Sequence, residues 1–367
     1  MTSHSKFGAQ TTATEVTKAF SDQIKGLTVL ITGANHNGIG GSTAMTIAQH
    51  APACIIITGR TQEKLDAMVK DLNTSFPEVQ VVPAIVDLSS QRSVREAAAE
   101  ISKAVEAIDV VINNAGVMAI PEREINEDGF EMHLATNHIG NFLLTNLLMD
   151  KIRLAAIKRP GVTRIVNVSS VGFDLSAFRF QDYNFDGHPV GEDEVGLPGP
   201  LVAYSLPTER VDHYMSLIAY GQSKTANVLF ITYLAKHLAG YGISSFVIHP
   251  GAIQTELGRH LTPTTLAEIA SAIPGWKTRD QGAATSVVAA FDPALKGTHS
   301  WIHGLIDSLP LKFEEEERFV IRRAIDHSGA YLIDCQISSA PAYATDPEKA
   351  EKLWKLTESF VGQEFRL

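Results

Sequence analysis

Cysteine is almost missing from this chain. Cys54 and Cys335 stand far apart, and neither belongs to a Cys-x-x-Cys pair. That argues against a disulfide framework and a thiolate metal site, and it fits a reducing compartment. Positive charge is also in deficit, since 31 Lys and Arg against 41 Asp and Glu give a formal net charge of −10. Nucleic-acid and anionic-membrane partners need a basic face, so neither is expected. Long apolar runs are absent as well. No window approaches the roughly 18 consecutive apolar residues of a membrane span. Residues 1–25 carry Ser, Thr, Lys and Asp without the apolar core of a signal peptide, and read as a polar N-terminal extension. The expected location is cytoplasmic.

What is present is a chain able to fold around a large core. Hydrophobic residues make up 44% of 367, with mean hydropathy near zero. Short β-branched runs recur at Leu27–Thr32, Cys54–Thr58, Val79–Val86, Asp109–Asn113, Thr163–Val168 and Ile243–His249. They have the continuous apolar character of strands buried on both faces. Helical composition separates them at Ser42–His50, Thr61–Asn73, Ser90–Ala107, Gly129–Arg159 and Ile218–Ala239. This alternation implies an α/β fold, a doubly wound Rossmann-type parallel sheet in one domain. The core is expected over residues 26–258. Two segments, Gly172–Leu217 and Arg259–Ser328, break the alternation and read as extended loops. Both leave strands at the carboxyl edge of the sheet, where ligands bind. They are expected to form a lid with apolar residues such as Phe173, Phe178, Leu201, Leu266, Ile273 and Trp276.

The stretch Thr32–Gly40 lies between an expected strand and an expected helix, and Gly33, Gly38 and Gly40 fall within it. Glycines there let the backbone approach a pyrophosphate, and the helix N-terminus offers unpaired N–H groups. At the end of the second strand, a carboxylate would bind the ribose hydroxyls of NAD. This chain has Arg60 instead, with no carboxylate before Glu63. A guanidinium suits a 2′-phosphate, which favours NADP over NAD.

Tyr220 and Lys224 are spaced i, i+4 and so share a helix face. A protonated lysine beside it is expected to lower the tyrosine pKa and make it a general acid/base.

Together these residues resemble the short-chain dehydrogenase/reductase family. The resemblance is carried by the glycine turn, Val86-Asp87-Leu88, Asn113-Asn114-Ala115-Gly116, Asn137, Ser169-Ser170, Tyr220-x-x-x-Lys224 and Pro250-Gly251, in that order. TNHIGNFLLTNLL and AYGQSKTANVLF are especially similar to the retinol-dehydrogenase-like branch and its fungal relatives. Gly329–Pro341 and Asp280–Ala283 look like that branch's closing elements, so residues 329–367 are expected to supply a closing strand and helix.

The resemblance implies a hydride-transferring oxidoreductase acting on a carbonyl or alcohol of a small, apolar substrate. It gives Tyr220 the acid/base role and Lys224 the nicotinamide ribose. Ser170 would bond the substrate carbonyl, and Asn137 would hold a water in a proton relay. Gly33, Gly38, Ile39 and Gly40 would line the phosphates, Asp87 and Leu88 the adenine, and Asn114, Ala115 and Gly116 the adjoining ribose. Pro250, Gly251, Ile253 and Thr255 would reach the carboxamide. The glycine turn holds one residue more than the family pattern between Gly33 and Gly38.

Other chemistry is weaker. His299 and His303 have zinc-compatible spacing but no acidic third ligand at a recognisable offset, so no metal is expected. The alternative to an enzyme is a non-catalytic dinucleotide-binding redox sensor. A homo-oligomer stays open.

Overall fold

The computed structural model describes residues 1–194, 213–272, 275–295 and 327–367. Among them an eight-stranded sheet runs β3-β2-β1-β4-β5-β6-β7-β8. Its strands are β1 Thr28–Thr32, β2 Cys54–Gly59, β3 Gln80–Ile85, β4 Val110–Asn113, β5 Arg164–Val168, β6 Ser244–His249, β7 Tyr331–Ile333 and β8 Gln336–Ser338. All neighbours pair parallel except β7 and β8, which form an antiparallel edge hairpin. The order reverses between β1 and β4, and a ligand crevice opens at such a switch point.

The two-residue side-chain period divides the central strands between two cores. Val29, Ile31, Ile55, Ile57, Val110 and Ile112 face one core, while Leu30, Ile56 and Val111 face the other. Helices α1 Ala13–Ala19, α2 Ser21–Ile24, α3 Ile39–Ala48 and α4 Gln62–Ser75 contribute to the first. The opposite layer contains α5 Gln91–Ala104, followed by a broken stretch. That stretch comprises α6 Met132–Leu134, a π-helical turn at Ala135–Ile139, α7 Gly140–Leu147 and α8 Met149–Lys158. The long helix α9 Ser216–Leu238 completes that layer with the C-terminal helix α12 Pro347–Val361. Between α9 and α12 come α10 Pro263–Ala272 and α11 Arg279–Phe291.

Three expectations change. Residues 1–25 are no loose extension, because Ala13, Val16, Phe20 and Ile24 recur at helical spacing and are buried against α3 and α11. Fully burying side chains such as Phe20 and Ile24 contributes about 1.5–3 kcal/mol each. Arg259–Ser328 is not simply a loop, since α11 lies inside it with every residue from Gly282 to Phe291 buried. The stretch Gly129–Arg159 is not one helix, and its π turn holds Asn137.

No helix among the described residues is long and apolar enough to cross a membrane. Leu201, Ile273, His299 and His303 lie outside the described residues.

Candidate active site

The glycine turn is shaped by contacts that leave no room for side chains. Gly33 has φ +70°, and a Cβ there would stand 2.9 Å from Ala115. A Cβ on Gly40 would meet the Asn114 amide at 2.6 Å, and one on Gly41 the Asn35 carbonyl at 2.1 Å. The extra residue is taken up locally. Gly38 N–H bonds the Asn35 carbonyl at 3.0 Å while the Asn35 side chain accepts from Asn37 N–H at 3.0 Å. Gly38 then caps α3, whose first residue is Ile39. Arg279, opening α11, braces the turn from outside through the His36 carbonyl and Asn37. Thr32 Oγ1 accepts from the N–H groups of Asn114 and Ala115, both at 3.0 Å, and so joins the ends of β1 and β4.

A cavity of about 1330 Å³ lies over these strand ends. It exceeds the roughly 300–1,000 Å³ usual for one drug-sized ligand, which leaves room for a dinucleotide with a substrate. Its walls include Gly33, Gly38, Ile39, Arg60, Asp87, Leu88, Asn114, Ala115 and Gly116. Ser170, Tyr220, Lys224, Pro250, Gly251, Ile253 and Thr255 also line it. Gly40 and Asn137 stand behind that wall. A Cβ on Gly116 would come within 2.9 Å of Asn137 Oδ1 and 3.4 Å of Lys224 Nζ. The narrow turn, the glycine cradle and the α3 N-terminus fit a dinucleotide pyrophosphate.

Ser170 and Tyr220 converge beside Gly172, where a Cβ would meet the Tyr220 ring at 2.8 Å and Ser170 Oγ at 3.3 Å. Ser170 Oγ accepts from Gly172 N–H at 3.0 Å. Its neighbour Ser169 is buried and spends its hydroxyl on the Lys224 carbonyl at 2.9 Å. The pair therefore divides its work, with Ser170 facing the cavity and Ser169 fixing the helix.

Lys224 Nζ donates to Val168 O at 3.0 Å and stands 5.5 Å from the Tyr220 ring centroid. Burial governs both groups. It pushes Tyr220 up to about 12, opposed by the nearby Ser170 side chain, and pushes Lys224 down to about 8. Burial thus holds the tyrosine above its ordinary value, against the expected lowering, and Ser170 rather than Lys224 opposes it.

Asn137 is fully buried with its side chain engaged. Oδ1 accepts from Val117 N–H at 2.7 Å, and Nδ2 donates to Val117 O at 3.0 Å and Ser223 Oγ at 2.8 Å. This side chain clamps protein to protein.

Several cavity residues escaped sequence reasoning. Lys64 and Arg259 join Arg60 on the wall, with Lys64 paired to Glu256 at 2.6 Å. Burial and then the Arg60 charge lower the Arg259 pKa, so the two guanidiniums feel each other. Lys64 carried a signal, since it follows Arg60 by one helical turn, whereas Arg259 had none. His249, Lys277 and Asp334 gather near Pro250, with Lys277 paired to Asp334 at 2.5 Å. Leu175, Leu217, Leu261, Val117 and Met118 supply apolar wall, beside Leu266 and Trp276, which the sequence had placed over the site. Phe173 and Phe178 belong to the core instead, buried with their rings against Tyr331 and Phe180.

A family model described as short chain dehydrogenase matches residues 27–184. Retinol dehydrogenase 13 of Homo sapiens is 33% identical over 342 residues, covering 93% of this chain and 86% of its own. Oxidoreductase fscI of Fusarium equiseti is 37% identical over 246 residues, 67% of this chain and 94% of its own. The solved complex of Pseudomonas aeruginosa RhlG with NADP superposes with a TM-score of 0.55. It covers 75% of this chain and 94% of its own at 24% identity, a likeness of fold.

Proposed function

The chain belongs to the short-chain dehydrogenase/reductase family, in its retinol-dehydrogenase-like part, and is an NAD(P)-dependent oxidoreductase; from that premise we propose that it works with NADP(H) on the carbonyl or alcohol of a small apolar substrate. A bound nicotinamide supplies or accepts the hydride, and the protein orients the partners and moves the proton. One observation carries the reading: Ser170, Tyr220 and Lys224 line the same cavity as the Gly33–Ile39 turn. Reduction then runs through this chain's groups. Ser170 and Tyr220 donate hydrogen bonds to the substrate carbonyl, and Tyr220 protonates the oxygen as its negative charge develops. A tyrosine held at about 12 is fully protonated at neutral pH, which suits it to the donor role. Lys224 keeps its Val168 contact and offers its remaining protons to the cavity, where the nicotinamide ribose would lie. Asn137 holds Val117 and Ser223 in register with Tyr220.

The preference for NADP is supported by Arg60, Lys64 and Arg259 on one wall. A cluster of cations in a protein of net charge −10 suits a multiply charged anion. The apolar walls around Met118, Leu217 and Trp276 support a substrate of aliphatic or aromatic character.

Replacing Tyr220 by Phe removes only the hydroxyl. It is expected to lower kcat by on the order of a hundredfold or more while cofactor Kd stays constant. A screen of aldehydes, ketones and alcohols followed at the nicotinamide absorbance provides the assay. An unchanged kcat in Tyr220→Phe removes the acid/base role.

A further inference from the structure

The segment Val117–Ile120 leaves β4 and forms part of the substrate side of the cavity through Val117 and Met118. It is gripped at both ends from one helical stretch. Asn137 takes both main-chain groups of Val117, as described above. One turn earlier, His133 Nε2 accepts from Ile120 N–H at 3.3 Å. The Tyr214 hydroxyl lies 3.2 Å from the Ile120 carbonyl and 3.3 Å from Glu131 Oε1, and can donate to either.

His133 can accept at Nε2 only when its proton sits on Nδ1. Glu131 enforces that tautomer, with Oε1 at 2.6 Å from Nδ1. The other oxygen, Oε2, accepts from Leu134 N–H at 2.9 Å, so the carboxylate receives donors on both sides. Glu131 and His133 are fully buried. Between the two grips, Ala119 stands at φ +56°. That conformation costs an L-residue roughly 1–2 kcal/mol and persists only where surroundings hold it. The His133 ring also meets the Tyr220 ring edge-on, with centroids 6.2 Å apart.

We propose that His133, set by Glu131 and Tyr214, is a positioning residue for the substrate, holding the Met118 wall in place relative to Tyr220. It rests on the reading of Tyr220 as acid/base. The grip fixes how deeply an apolar chain enters before its carbonyl meets Ser170 and Tyr220. Substrate length, rather than the chemical step, is therefore what this network governs.

Three variants test it. Glu131→Gln is nearly isosteric, yet an amide accepts on one side and donates on the other. With the oxygen kept on Leu134 N–H, the amide nitrogen faces His133 Nδ1, so the histidine proton moves to Nε2 and faces Ile120 N–H. His133→Ala deletes the grip, and His133→Gln offers an amide oxygen to Ile120 in its place. Two readouts are compared: hydrogen exchange at the Ile120 amide, and kcat and KM across short- and long-chain aldehydes with NADPH.

Glu131→Gln and His133→Ala are expected to speed Ile120 exchange about tenfold or more. They are expected to raise KM about five- to twentyfold or reorder the chain-length preference, with kcat and NADPH Kd within about twofold. His133→Gln should recover part of both effects. Unchanged Ile120 exchange overturns the grip. Faster exchange with unchanged KM at every chain length overturns the positioning role, as does an equal loss in kcat and cofactor affinity. A wild-type protein that turns over no carbonyl or alcohol overturns the catalytic reading instead, and the exchange rates of the variants still judge the grip.

Discussion

Lys224 is buried with its charge facing a carbonyl and an aromatic ring, and burial alone brings its pKa down to about 8. An unfolded lysine titrates near 10.4. Between those values the unfolded chain binds the extra proton, so this residue makes stability rise with pH from about 8 to 10. Tyr220 acts in the opposite sense. Its proton is kept up to about 12 in the fold but lost near 10 when unfolded, so its contribution falls above pH 10. The unfolding free energy of wild type minus that of Lys224→Met is therefore expected to grow by about 2 kcal/mol between pH 7.5 and 10. Denaturant titrations at several pH values measure it, and a flat difference would show the lysine to be solvated. The tyrosine and lysine were legible because four residues on a helix fix their geometry. The grip on Ile120 was not, since Glu131, His133 and Tyr214 meet it only through tertiary folding.

Helix α3 depends on a contact that tolerates no atom. A Cβ on Gly41 would lie 2.1 Å from the Asn35 carbonyl, and both belong to backbone that frames the glycine turn. Gly41→Ala is expected to destabilise the protein by about 1–3 kcal/mol and to weaken cofactor binding, because the turn must open to admit the methyl group. Gly240→Ala, with nothing within 4 Å, serves as the control and should leave both unchanged. Thermal unfolding and cofactor titration of the two variants check this. The strands were readable because Val29 through Thr32 are buried on both faces and so form a continuous apolar run. Helix α11 was not, because a helix buried all round shows no apolar stripe. Its one local signal was the capping box of Thr278 with Gln281. In the first helices the stripe of Ala13, Val16, Phe20 and Ile24 was present but hidden by polar neighbours.

Across the whole molecule, the cavity joins pieces from both halves of the chain. Arg60 and Lys64 follow β2, while Arg259 and Glu256 follow β6, and Lys64 binds Glu256 across the gap. A ligand that binds only the folded state stabilises it by RT ln(1 + [L]/Kd), about 2.7 kcal/mol at a hundredfold excess over Kd. At equal concentrations NADPH is expected to raise Tm more than NADH. Arg60→Ala and Arg259→Ala should each shrink that gap, at a cost of a few kcal/mol at most in NADPH binding and little change for NADH. Equal shifts with both cofactors in wild type would argue against a 2′-phosphate site.

The N-terminal segment also spans the molecule. Thr2 bonds Gln336, Ser3 bonds Asp292, Gln10 bonds Gln281 and Thr14 bonds Asp280. Synthesis proceeds at about 5–20 residues per second, so these first residues leave the ribosome roughly 13–67 s before the surfaces that receive them. During that interval Phe20 and Ile24 have no α11 to cover them, and the partly made chain exposes apolar surface that a chaperone would recognise. A segment made well before α11 is thus seated only after it.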